Sequence, residues 1–534
     1  MKKLSGVWFM AAFLLAANFA HGQDLCGQAV PTGQGPVLGK RDKKSPVCVY
    51  KGIPYAKPPV NELRWRAPEP PANRSEALSA FEFGASCVQN ENLTSGGKSK
   101  SFSEDCLTLN IFRPARSGAF PVMFWIHGGG YTQGAGNYAM YDGVPLASSR
   151  EVVVVTINYR LGFFGFLALP ELAKEDLNRS AGNYGVLDQI AALKWVQANI
   201  ANFAGDPQNV TIFGESAGGV SVCNLLATPL AAGLFHRAVI ESGGCDLASS
   251  LEKGYEQGQG LAQALGCRTE NPLPCLRAKS AKELLLPSDE MITGAAAHID
   301  HYVLSDQPLQ VIKTGKFNKV PVIVGSNRDE FNLTVLLTPG GIFASRKMVV
   351  KSMEKQLGPR AQEVLKLYSF DDYARPAYVI GAAFTDGFGS RAFAAAEALA
   401  PYTPVYLYRF DWDEERLGKT LGAFHGLEIP FVFGTLDAKK ASLHLLLKPK
   451  AVASGKPLSQ KLMGYWTAFA QTGDPNAAGL EKWPIYQTRG RERIYFDNQI
   501  SAAPLTDREI ERYQYFASIS VDELVGRKTS KTDQ

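Results

Sequence analysis

No CxxC pair and no mixed cluster of cysteine and histidine occurs in this chain. That absence excludes the usual structural zinc sites. Past the N-terminal leader no segment offers about 18 uninterrupted apolar residues, the minimum for a helix that spans a bilayer. Excess charge is also lacking: a formal +5 over 534 residues, with Lys and Arg scattered, leaves no footprint for nucleic acid. Repeats, low-complexity blocks and long linkers are missing too, so residues 23–534 read as a single domain. Histidine is scarce, seven in all, and that scarcity narrows the search for any catalytic base.

What is present begins with MKKLSGVWFMAAFLLAANFAHG, residues 1–22. Two lysines precede an apolar core from Val7 to Ala17 and then small residues, the pattern of a secretory signal peptide. Ala20 and Gly22 are both acceptable as its last residue. The mature protein is expected to be exported, periplasmic or extracellular. Eight cysteines then meet an oxidising compartment. Cys26 and Cys48 bracket a Gly/Pro-rich segment, Cys87 and Cys106 a polar loop, and Cys267 and Cys275 a short one. Cys223 and Cys245 remain, as a pair or as buried thiols. Glycosylation sequons start at Asn73, Asn92, Asn178, Asn209 and Asn332, and count only in a host that glycosylates.

Short β-branched and aromatic runs recur: PVMFWI at 121, EVVVVTIN at 151, NVTIF at 209, RAVIES at 237, VPVIVGS at 320 and PVYLYRF at 404. Their continuous hydrophobicity predicts strands buried on both faces. Between them, YGVLDQIAALKWVQANIANF places apolar residues three or four apart, as one face of a helix. LSQKLMGYWTAFAQTGDPN does the same and stops at Gly473 and Pro475. Alternating strands and helices make an α/β fold with a mainly parallel sheet. Its ligand site belongs beyond the carboxyl ends of the strands.

Gly214-Glu215-Ser216-Ala217-Gly218 matches G-x-S-x-G between a strand and a helix start. A sharp turn there lifts the serine oxygen clear of the sheet, and the glycines let neighbouring backbone approach. Upstream, His127-Gly128-Gly129-Gly130 follows the strand PVMFWI, where bare N–H donors suit an acyl oxyanion. The acid and base should follow in the order Ser, acid, His. His425, in the glycine-flanked loop GAFHGLEIPFVFG, is the best-placed base, and His444 lies in an apolar segment. Glu330, just past the strand VPVIVGS, is the best-placed acid, with Asp329 an adjacent rival and Asp386 and Asp411 weaker ones.

The ordered motifs GIPYAKPPVNELRW, SEDCLTLNIFRP, WIHGGGY, NYRLGFFGF, VTIFGESAGG, GLFHRAVIESG, NRDEF, HGLEIPFVFG and YWTAFAQTGDPN resemble the type-B carboxylesterases, the cholinesterase-like branch of the α/β-hydrolases. The resemblance runs from about residue 29 to 515. It implies a central, mostly parallel, twisted sheet flanked by helices, with long insertions over the site. It implies Ser216 as nucleophile, Glu330 as acid, His425 as base, and oxyanion donors at Gly129, Gly130 and Ala217. Disulfides Cys87–Cys106 and Cys267–Cys275, and ion pairs Arg64–Glu104 and Arg160–Asp188, follow in the same way; His236 and Glu215 are family positions, Glu215 in a supporting electrostatic role. The implied activity is hydrolysis of a small-molecule ester through an acyl-enzyme, with no cofactor or metal and no indication of oligomeric state. A lipase or sterol-ester hydrolase, and a non-catalytic adhesion member, are the alternatives. Three departures stand out. Phe331 follows the acid where the family has glycine. The Cys87–Cys106 loop lacks the tryptophan that receives choline, which argues against choline esters. His301 replaces a glycine in the region expected near the acyl pocket.

Overall fold

An eleven-stranded mixed sheet forms the centre of the computed structural model, which describes residues 25–90, 101–285, 296–335, 340–415, 417–438 and 447–519. The leader, the Asn92 sequon, most of the loop lacking tryptophan and His444 lie outside those residues. In chain order the strands are β1 (Lys40–Arg41), β2 (Val47–Pro54), β3 (Thr108–Pro114), β4 (Phe120–Ile126), β5 (Val153–Ile157) and β6 (Gly205–Glu215). Then come β7 (Arg237–Glu241), β8 (Val322–Asn327), β9 (Val405–Phe410), β10 (Glu492–Phe496) and β11 (Ser501–Pro504). Their spatial order is β11-β10-β9-β8-β7-β6-β4-β5-β3-β2-β1. Neighbours from β10 to β5 pair parallel, and the two margins pair antiparallel. All six apolar runs became strands of this parallel centre.

Alternate residues divide between two cores, as the two-residue pleat requires. Phe124, Ile126, Val155, Ile212 and Ile240 face α1 (Tyr184–Asn199) and α2 (Ala217–Ala227), meeting Ile190, Leu193 and Val222. Met123, Trp125, Val154, Phe213 and Val239 face the opposite way. They pack with Leu462, Trp466 and Phe469 of a long C-terminal helix, Pro449–Thr472. That helix begins well before the LSQKLM segment and runs through Pro457, ending at Gly473 with φ 82°. The strand NVTIF starts early too, at Gly205, where its register against β4 slips. A 22-residue helix, α3 (Tyr378–Leu399), had no counterpart in the sequence reading. It is buried around most of its circumference and carries three glycines, so it shows no apolar stripe.

Four disulfides close the cysteines as Cys26–Cys48, Cys87–Cys106, Cys223–Cys245 and Cys267–Cys275. Both pairs implied by the resemblance are formed, and the two open cases are paired. Arg64 grips Glu104 with two nitrogens, at 2.7 and 2.5 Å. Arg160 does the same to Asp188, at 2.8 and 2.7 Å, and its own N–H also donates to that carboxylate at 3.0 Å. Asp188 has no exposed surface. Replacing Arg160 with Met strands a buried carboxylate, so Arg160→Met should lower unfolding free energy by about 3–5 kcal/mol. Urea denaturation against wild type measures this.

Candidate active site

Strand β6 ends at Glu215 and α2 begins at Ala217, leaving Ser216 alone to make the turn. It does so at φ 57° and ψ −123°. A side chain in such a conformation costs about 1–3 kcal/mol, which the surroundings must hold in place. The Ser216 N–H is tied to the carbonyl of Glu241 at 2.9 Å. A Cβ on Gly218 would fall 2.0 Å from the carbonyl oxygen of Ile126, so this corner of helix and sheet closes only around glycine. Ser216 is partly exposed while the residues beside it are buried.

The glycine loop after β4 approaches from the other side, where a Cβ on Gly128 would lie 3.0 Å from that of Ser216. Gly129 and Gly130 take φ of 104° and 61°. Among the described residues the N–H groups of Gly129, Gly130 and Ala217 have no acceptor. Burial pushes the His127 imidazole down to about 4, against a smaller opposing effect of the Gly128 carbonyl, so the ring is neutral. Its Nδ1–H donates to that carbonyl at 2.8 Å. The Gly128 carbonyl and the Gly129 N–H share one planar peptide and point oppositely, so anchoring the first aims the second. Tyr131, itself at φ 59°, closes the loop. Its hydroxyl lies 3.0 Å from Ser221 Oγ and accepts from Asn224 Nδ2 at 3.3 Å, both on α2.

Glu330 and His425 come together as expected. His425 Nδ1 lies 2.6 Å from Glu330 Oε2. The other carboxylate oxygen accepts from Ser242 Oγ at 2.6 Å and from the Asn327 N–H at 2.7 Å. Ser242 and Asn327 were not foreseen; their signal was position, since one follows β7 and the other ends β8, at the carboxyl edge of the sheet. The rival acids are engaged elsewhere. Asp329 pairs with Arg328 at 2.7 Å and accepts from the Ala423 N–H. Asp386 binds Tyr368 and Arg512, and Asp411 binds Arg409. His301 is exposed and bonded within its own loop, to the carbonyl of Ser305 at 3.2 Å. His236 accepts from the Val210 N–H, which gives it a structural place.

His425 Nε2, the nitrogen turned from Glu330, lies 3.1 Å from Glu215 Oε1. Behind it three carboxyl groups are buried: Glu215, Glu241 and Glu428. Burial raises Glu215 to about 7, opposed by His425 and assisted by Glu330. Burial raises Glu241 to about 8, against the hydrogen bond from Trp466 Nε1. Burial, with Glu215, Glu241 and Glu330 adding to it, drives Glu428 up as well. Desolvation disfavours charge on His425, yet Glu215, then Glu330, outweigh it and hold the imidazole high, at about 10. Among the described residues no three or more His, Cys, Asp and Glu side chains are grouped to hold a metal ion.

A serine on a strained strand-to-helix turn, a loop of free N–H groups and a carboxylate–imidazole pair define a serine hydrolase of the α/β-hydrolase fold. The sequence profile described as the Carboxylesterase family matches residues 27–513. The chain belongs to that family, and it is a carboxylic ester hydrolase. It is 38% identical to a para-nitrobenzyl esterase of Bacillus subtilis, over 91% of this chain and 98% of that one. It is 36% identical to a liver carboxylesterase of Sus scrofa, over 90% and 91%. A solved PNB esterase structure superposes with a TM-score of 0.80 at 37% identity, over 92% of this chain and 99% of that one.

Glu215 is the largest influence raising His425, so removing its charge lowers the pH at which the imidazole gives up its proton. In Glu215→Gln the acid limb of kcat/KM should move toward lower pH by about one pH unit. A pH–rate profile with a limb that stays in place contradicts that assignment.

Proposed function

We propose that Ser216 is the nucleophile, His425 the general base and Glu330 the residue that orients it. His425, once it has given up its own proton, takes the hydroxyl proton as Ser216 Oγ attacks the ester carbonyl. The free N–H groups of Gly129, Gly130 and Ala217 donate to the oxyanion that forms. His425, now protonated and stabilised by Glu330, passes its proton to the departing alkoxide oxygen. Water then enters, loses a proton to the same imidazole and attacks the acyl carbon; as the bond from acyl carbon to Ser216 Oγ breaks, the imidazole returns that proton to Oγ and the acid leaves. The single observation that carries this reading is the 2.6 Å contact between His425 Nδ1 and a Glu330 carboxylate saturated by Ser242 and Asn327. His425 Nε2, on the other side of the ring, then lies 3.1 Å from Oε1 of Glu215, the residue that precedes Ser216.

Residues 23–534 act as one hydrolase domain in this reading, released after removal of residues 1–22 and exported. Four disulfides support the oxidising compartment. Among the described residues no helix is long and apolar enough to cross a membrane.

Intact-mass labelling with a fluorophosphonate tests the assignment. Wild type should gain one adduct and Ser216→Ala none, and p-nitrophenyl acetate hydrolysis should fall by about a millionfold in kcat in that variant. His425→Ala should lose comparable activity. An unlabelled, well-folded wild type would sink the proposal.

A further inference from the structure

Three phenylalanine rings form a continuous apolar face ending on the imidazole of His425. Phe388 meets that imidazole with ring centroids 5.5 Å apart and planes at 85°. Phe331 meets Phe388 at 5.5 Å and 79°, and Phe384 at 6.0 Å and 49°. Phe384 and Phe388 stand four residues apart on α3 and so share one side of that helix. Phe331 follows Glu330 directly, and its N–H donates to Thr385 Oγ1 at 3.2 Å, which ties it to the same helix. All three rings are only partly buried, as is His425, whose side chain is 35% exposed. The aromatic cluster on β4 and β6 differs: Trp125, Tyr141, Phe213 and Phe433 pack on one another with almost no exposed surface. Ring surface left open beside a reacting group is available to a ligand. Phe331, moreover, stands where the resembled family usually carries glycine.

We propose that Phe331, Phe384 and Phe388 form a subsite for an aromatic group of the ester. The proposal rests on the reading of His425 as the base. That imidazole passes its proton to the leaving oxygen and later takes one from the water that attacks the acyl carbon. With Phe388 5.5 Å from that imidazole, an aryl group one or two bonds from either atom can be placed within about 4.5–7 Å of Phe388, the centroid range over which rings attract edge-to-face or offset. The near-perpendicular placing of Phe388 against both His425 and Phe331 suits edge-to-face contact with a further ring. A saturated ring of the same size fills the same space without the quadrupole term. Comparing aryl with cyclohexyl esters therefore isolates the contribution of these rings.

Two matched pairs test it: phenyl with cyclohexyl acetate, and methyl benzoate with methyl cyclohexanecarboxylate. For each pair the aryl-to-cyclohexyl ratio of kcat/KM is measured in wild type, Phe388→Leu and Phe331→Leu. Intrinsic reactivity differences cancel because each ratio is compared between proteins. The ratio should fall by about tenfold in at least one pair. A fall confined to the acetates places the aryl group on the alcohol side; one confined to the methyl esters places it on the acyl side. Either outcome supports the subsite. Ratios unchanged in both pairs overturn it. Phe384→Leu, whose ring touches Phe331 rather than the imidazole, carries the test if the other variants fail to fold. Loss of fluorophosphonate labelling in wild type would instead defeat the underlying assignment of Ser216 and His425, so the two failures are distinguishable.

Discussion

A carboxylate with almost no contact with water must find its partners within the protein, and Glu330 finds three. One follows β7, one ends β8, and one comes from the loop after β9: Ser242, Asn327 and His425. Those three strands are adjacent and parallel, with Ile240 beside Val324 and Val324 beside Leu407. Leaving such a group short of a partner costs several kcal/mol, about as much as a typical domain can spare. The pairing of the central strands and the placing of the imidazole are thus one requirement. A slip of one residue in β8 would carry the Asn327 N–H away from Glu330 and cost the carboxylate one of its three partners.

The corner at Ser216 imposes a second requirement, on closeness rather than charge. Helix α2 leaves the sheet so near β4 that Gly218 touches the carbonyl of Ile126, and Gly128 reaches Ser216 from above. His127 then takes up the carbonyl left by the glycine loop, while Tyr131 joins that loop to α2. Small residues make the approach possible, and buried hydrogen bonds fix its geometry.

The parallel centre of the sheet was legible because continuous β-branched runs have few alternatives to a strand buried on both faces. The turn at Ser216 and the glycine loop were legible because each needs residue types that few other arrangements need. Position put Glu330 ahead of Asp329, and the resemblance then supported that order. Both are carboxylates past the same strand, and the decision lies in three-dimensional partners, Arg328 for one and His425 for the other. Helix α3 stayed hidden because a helix covered on most sides has no polar face to set its period. Phe388 stayed hidden with it. Ser242 and Asn327 are common polar residues whose meaning comes from strand order, which local pattern does not carry.

The Cys223–Cys245 bond joins α2, which grows from Ser216, to the segment that supplies Ser242. In terms of native-state fluctuations, this removes one class of opening: α2 cannot swing away from the segment after β7 while the bond is intact. Sub-global openings usually follow the boundaries between supersecondary units, and here a covalent link crosses one. The serine corner and the support of Glu330 are therefore expected to open as one cooperative unit in hydrogen exchange.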